Sequence, residues 1–117
     1  MSEFMSSTLS QSDVGVVIMR GDLNGAAGDA LNQAYADATS ADAPVVVLDF
    51  SAVEYINSTG IALIVGILGQ ARQQNREVRA AGLTPHYREV FTLTRLSDFM
   101  TFHESQESAV TGRPAPA

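Results

Sequence analysis

The chain has 117 residues, one domain's worth. Apolar residues make up 45% and charged residues 17%, enough for a real core and well below the ~25% charge of a typical domain. The formal charge of −6 argues against a nucleic-acid face and against an anionic membrane surface. All bases are Arg, so a Walker-A loop, a Schiff-base enzyme and a Ser/Lys dyad are excluded. There is no Cys, which removes disulfides, thiol catalysis and thiolate metal sites. His86 and His103 stand far apart with no carboxylate ladder between them, so no metal site and no cofactor are expected. The apolar run Ile61 to Leu68 is far shorter than the ~20 residues that span a bilayer. The N-terminus has neither a basic end nor an apolar run, so it does not read as a signal peptide. A cytoplasmic protein that is not an enzyme is the expectation.

Residues 1–6 read as a disordered start. A hairpin follows: Thr8 and Leu9, a polar turn at Gln11-Ser12-Asp13, then the β-branched run Gly15 to Met19. Gly21 to Gly25 breaks the strand. Ala27, Ala30, Leu31, Ala34 and Ala38 recur at helical steps, a small-residue face that can lie close on a sheet. Ala41 to Pro44 ends that helix. Val45 to Leu48 is continuously apolar, the mark of a strand buried on both faces. Asp49 to Ile56 reads as a loop, with Asp49 bonding loop amides near Ser51.

A second helix runs from Asn57 or Ser58, either a good N-cap, to about Asn75. Ile61, Ile64, Val65 and Leu68 follow core spacing. Leu63, Gly66, Ile67 and Gly69 leave the opposite face apolar or small, so either this domain covers both sides or a partner does. Gly66 and Gly69 each cost about 1 kcal/mol in a helix interior, which suggests close packing there. Glu77 to Ala81 reads as a short strand. Thr84-Pro85 starts a third helix that runs to about Leu96. Asp98 to His103 is the last strand, and Glu104 to Val110 a short fourth helix. Residues 111–117 read as a disordered tail. The order β-β-α-β-α-β-α-β-α implies a single α/β domain, residues 7–110, with helices on a mixed sheet. Sites in such folds gather where strand C-terminal ends meet helix N-termini, here Gly21–Asn24 and Phe50–Ser58.

Ser58 and Thr59 open the second helix. Plain capping explains an isolated pair of hydroxyls there. A phosphate would also be favoured by the helix N-terminus, and would set charge beside an apolar face. Asp22, Asp49 and Glu54 line the same rim, yet no nucleophile–base pair accompanies them, which speaks against a hydrolase. An interaction module further predicts a flat or convex rim in place of an enzyme's pocket.

Val45-Val46-Val47-Leu48-Asp49-Phe50-Ser51, then Val53, then Ile56-Asn57-Ser58-Thr59-Gly60-Ile61 resembles the signature of STAS domains, and within them the bacterial anti-sigma factor antagonists. Gly21-Asp22-Leu23-Asn24 is similar to a second stretch of that family, and Val90-Phe91 with Thr94-Arg95-Leu96 to a third. The resemblance implies a small α/β module that binds an anti-sigma factor with serine kinase activity. It further implies that the kinase phosphorylates the module on Ser58, less readily Thr59, and that a phosphatase resets the cycle. The docking surface implied comprises Asp22, Asn24, Tyr55, Asn57, Ser58, Thr59, Leu63 and Ile67. Asn24 and Asn57 stand where the family has acidic residues. That departure raises the alternative of a non-phosphorylated scaffold or stressosome-type subunit. A homodimer through the apolar helix face is the other partnership expected.

Overall fold

Five strands lie side by side in chain order, β1 (Met5–Gln11), β2 (Val14–Leu23), β3 (Val45–Ile56), β4 (Glu77–Ala81) and β5 (Thr101–His103). The structure is a computed structural model, and it describes residues 2–11 and 13–112. β1 runs antiparallel to β2, and every later neighbour is parallel, so the sheet is mixed as expected. Parallel neighbours need crossovers, supplied by helices α1 (Gly28–Ala38), α2 (Ser58–Gln73) and α3 (Pro85–Leu93). A fourth helix, α4 (Gln106–Thr111), follows β5. No helix among the described residues is long and apolar enough to cross a membrane.

Alternation along the strands divides the core in two. Val17, Met19, Val46, Leu48, Phe50, Val78 and Ala80 pack with Leu31, Tyr35, Ile64, Ile67 and Phe91 of α1, α2 and α3. Val14, Val16, Val47 and Ala81 face the other way, toward Ala109 of α4. β3 is therefore buried on both faces where its sequence is continuously apolar. Ala27, Leu31, Ala34 and Ala38 are buried, and α1 lies close on the sheet. A Cβ on Gly15 would sit 2.1 Å from the Ala38 carbonyl oxygen, so that approach requires glycine. Ala30 departs from the expected face: it is exposed, because the buried stripe passes beside it.

Several expected boundaries move. β2 continues through Leu23 and β3 through Ile56, where breaks or loops were expected. The parallel ladder resumes after two register shifts, pairing Arg20 with Ala52, Gly21 with Val53, Asp22 with Tyr55 and Leu23 with Ile56. That pairing satisfies backbone groups whose side chains carry no apolar run. The start of the chain is ordered earlier than residue 7. Met5 and Ser6 belong to β1, and Asp22 N–H donates to the Ser2 carbonyl at 3.0 Å. α3 stops at Leu93, where the Thr94 hydroxyl donates back to the Val90 carbonyl at 2.8 Å and Arg95 turns left-handed at φ 68°. A 3-10 turn, Leu96–Asp98, takes up the segment before β5. Thr111 ends α4 and Gly112 caps it; the rest of the expected tail lies outside the described residues.

Candidate functional site

β2 and β3 end together, with Leu23 paired to Ile56, and the two exits form one rim. Asn57 N–H donates to the Leu23 carbonyl at 3.2 Å, tying the exits to each other. Each exit carries an asparagine in extended backbone that accepts from the turn ahead of it. Asn24 Oδ1 accepts from Ala26 N–H at 3.0 Å. Asn57 Oδ1 accepts from Gly60 N–H at 2.8 Å and caps α2. Amide oxygen performs this capping as well as carboxylate, so the fold is untouched by the missing charges.

The cap assignment decides the state of Ser58. Because Asn57 holds the free N–H, the Ser58 hydroxyl makes no hydrogen bond among the described residues, and Ser58 is exposed. Thr59 is exposed too, but its methyl lies against Gly25, 3.1 Å from where a Cβ there would stand. Gly60 seats the helix: its Cβ would fall 2.1 Å from the Leu23 carbonyl oxygen. The Tyr87 hydroxyl, from α3, accepts from Ile56 N–H at 2.9 Å and pins the end of β3. Gly60 and Tyr87 carry no signal in the sequence that announces these roles, beyond Gly60 following the two hydroxyl residues.

Tyr55 stands on the rim and is exposed, as is Glu54. Asp22 is not presented there. It is buried, and its Oδ2 accepts from Ser2 N–H at 3.2 Å, because Ser2 and Glu3 fold over the end of β2. Buried Asp22 and exposed Glu54 also share no environment as an acid–base pair. Asp49 Oδ1 accepts from Ser51 N–H at 2.9 Å and from the Ser51 hydroxyl; the amide is the one expected, but it lies within β3, at the register shift, and not in a loop. A flat rim was expected; instead an open cleft of about 470 Å³ borders Asn24, lined by Ser2, Glu3, Phe4 and alanines of the α1 approach. Glu3 is its one ionisable side chain. Among the described residues no three His, Asp or Glu side chains gather as metal ligands.

Residues 7–102 match the model of a family described as "Mlab, STAS domain". The chain belongs to the STAS domain family. It is 30% identical over 94 residues to BtrV of Bordetella bronchiseptica, named as a proposed anti-sigma factor antagonist, with 80% of this chain and 81% of BtrV covered. Its fold matches an anti-sigma factor antagonist from Mycobacterium paratuberculosis with a TM-score of 0.79 at 22% identity, covering 94% and 93% of the two chains. It also matches the Bacillus cell fate determinant SpoIIAA in its phosphorylated form, with a TM-score of 0.70 at 18% identity, covering 94% and 98%.

In this STAS domain α2 is rotated from its expected phase. Its buried face is Gly60, Ile64, Ile67, Leu68 and Ala71. Ile67, expected at a docking surface, is 0% exposed, and Val65, expected in the core, is 49% exposed. An all-round apolar helix has no polar edge to set its phase; the Gly60 seat against β2 sets it instead. Leu63 is half-buried beside Gly28 of α1. No atom lies within 4 Å of a Cβ built on Gly66 or Gly69, so the close packing expected there is not supplied within the described chain.

Proposed function

We propose that this STAS domain is an anti-sigma factor antagonist that binds an anti-sigma factor with serine kinase activity and is released by phosphorylation at Ser58. The observation that carries the reading is the Ser58 hydroxyl. It is exposed at the first position of α2 and unused in the cap, because Asn57 does that work. A phosphate there would carry about −1.5 to −2 charges in the favourable field of a helix N-terminus. The fold therefore tolerates the group, and its effect falls on whatever docks. Asn24, Tyr55, Asn57 and Thr59 surround it as the docking rim, with Leu63 at its inner edge. Thr59 is the poorer acceptor, since its methyl is engaged by the Gly25 turn. The name of BtrV supports the antagonist reading, and SpoIIAA, solved in a phosphorylated form, supports a phosphorylation switch in a protein of this fold. A phosphatase would complete the cycle. The module acts by binding and carries no chemistry of its own.

One observation favours a second reading, a STAS scaffold that is never phosphorylated. Asn24 and Asn57 stand where two carboxylates would otherwise meet a basic kinase surface, which leaves Glu54 as the exposed acid of the β3 exit. Intact mass of the protein from its native host, beside a Ser58→Ala variant, decides between the two. The switch predicts a species heavier by about 80 Da, one phosphate, lost in Ser58→Ala. Its absence under every growth condition leaves the scaffold reading standing.

A further inference from the structure

β1 is an end strand of the sheet, and nothing in its sequence guards it. Natural edges are blunted by charge, proline or bulges, because an open row of N–H and C=O groups pairs with any strand that reaches it. Met5–Gln11 contains no charged residue and no proline. It pairs with β2 over seven consecutive residues without a register shift. The surroundings of the edge are shaped for a strand. On the helix side a groove of about 310 Å³ runs between Ser6 to Thr8 and α1, whose Ala30 and Ala34 form its small-residue wall with Gln33 and Asp37 at its margin. On the other side Met5, 57% exposed, lies beside Ile18, Ala52 and its ladder partner Arg20.

The side-chain alternation says which strand fits. Leu9 packs with the cluster around Val16, so Met5, Ser7 and Leu9 share that face, and Ser6, Thr8 and Ser10 face the α1 groove. We propose that a second copy of this chain adds its own β1, antiparallel, about a two-fold axis at Ser7. In that register Met5 lies opposite the partner's Leu9, and Leu9 opposite the partner's Met5. Ser7 meets the partner's Ser7, and Ser6 the partner's Thr8. Apolar faces apolar on one side, small polar faces small polar on the other, and no like charges oppose each other. An axis at Thr8 would instead set Met5 against Gln11. The contact is isologous and closes on itself. The opposite edge of the sheet, β5, is three residues long, too short to propagate pairing into a fibre. The pairing uses none of the residues that surround Ser58.

Cross-linking tests the register directly. The chain has no cysteine, so a Ser7→Cys variant can form a disulfide only between copies. Residues opposed in an antiparallel pair lie about 4.5–5.5 Å apart at Cα, inside the range a disulfide spans. Mild oxidation is expected to link most of the Ser7→Cys protein and little of a Gln11→Cys variant, whose mates stand at opposite ends of the ladder. Sedimentation velocity of the unaltered chain is expected to show twice the 12.4 kDa chain mass at about 200 µM, within reach of a weak dimer. Ser7→Lys, which sets like charges face to face, is expected to raise the dissociation constant at least about tenfold, with circular dichroism showing the fold retained. If that variant fails to fold, the cysteine pair decides alone. A chain monomeric at that concentration, a dimer indifferent to Ser7→Lys, or equal linking of the two cysteine variants overturns the proposal.

Discussion

At the scale of single residues, Asn57 and Gly60 do separate jobs within one turn. Asn57 caps α2 and frees the Ser58 hydroxyl. Asn57→Ala should therefore cost about 1 kcal/mol in urea unfolding, and Asn57→Asp should cost nothing, since a carboxylate caps equally well and suits the helix N-terminus. Gly60→Ala is a harsher change. Its Cβ would stand 2.1 Å from a backbone oxygen, and backbone cannot step aside as a side chain can. A loss of about 1–3 kcal/mol is expected, together with weakened binding at the rim because α2 must lift from β2. A Gly60→Ala protein as stable as the parent would sink the seating argument. The hydroxyl pair was legible in the sequence, and so was its place at a helix start. Which residue caps was not, because Asn and Ser cap almost equally well and only the backbone path chooses between them.

Elements show where pattern and packing part company. The helix-to-strand alternation follows from periodicity, and β4 runs from Glu77 to Ala81 as its sequence suggests. The phase of α2 does not follow, since a helix apolar on every side offers no amphipathic stripe to read. Gly66 and Gly69 sit on its open side. Replacing both by Ala should raise stability by roughly 1 kcal/mol each, read as a higher melting temperature. If that face also docks a partner, affinity should fall as stability rises. Tyr35 in α1 gives a pH test. Burial pushes its phenol above the ordinary value, with the Arg76 guanidinium partly opposing. The unfolded chain thus loses its proton first, and the stabilisation is whole below about pH 10 and lost as pH climbs through the folded-state value. Tyr35→Phe should flatten that alkaline decline. It also gives up the 2.7 Å bond from the Tyr35 hydroxyl to Gln74 Oε1, at about 1 kcal/mol near neutral pH.

For the whole molecule, the two halves of the core share β2 and β3, so they should melt as one. α4 is short, yet its Ala109 closes the second cluster, and the Arg79 guanidinium bonds the Ala109 carbonyl at 2.9 Å. Truncation before Ser105 should bare Val16 and Val47, both fully buried, and be seen as dye binding and a lost or broadened transition. An unchanged melt would show that α4 is not needed for that face. Composition and periodicity alone determined the class of domain, the order of its elements, the doubly buried third strand and the hydroxyl pair at the start of α2. These are local properties, written in side-chain spacing. Only the tertiary structure decided that Asp22 is buried under Ser2 and Glu3, that Ile67 points inward and Val65 outward, and that the cap falls to Asn57. The first two depend on contacts between segments distant in sequence, and the cap, itself a local bond, depends on the backbone path that the Asn57 N–H bond to the Leu23 carbonyl helps to fix; local spacing holds no record of which segments will meet.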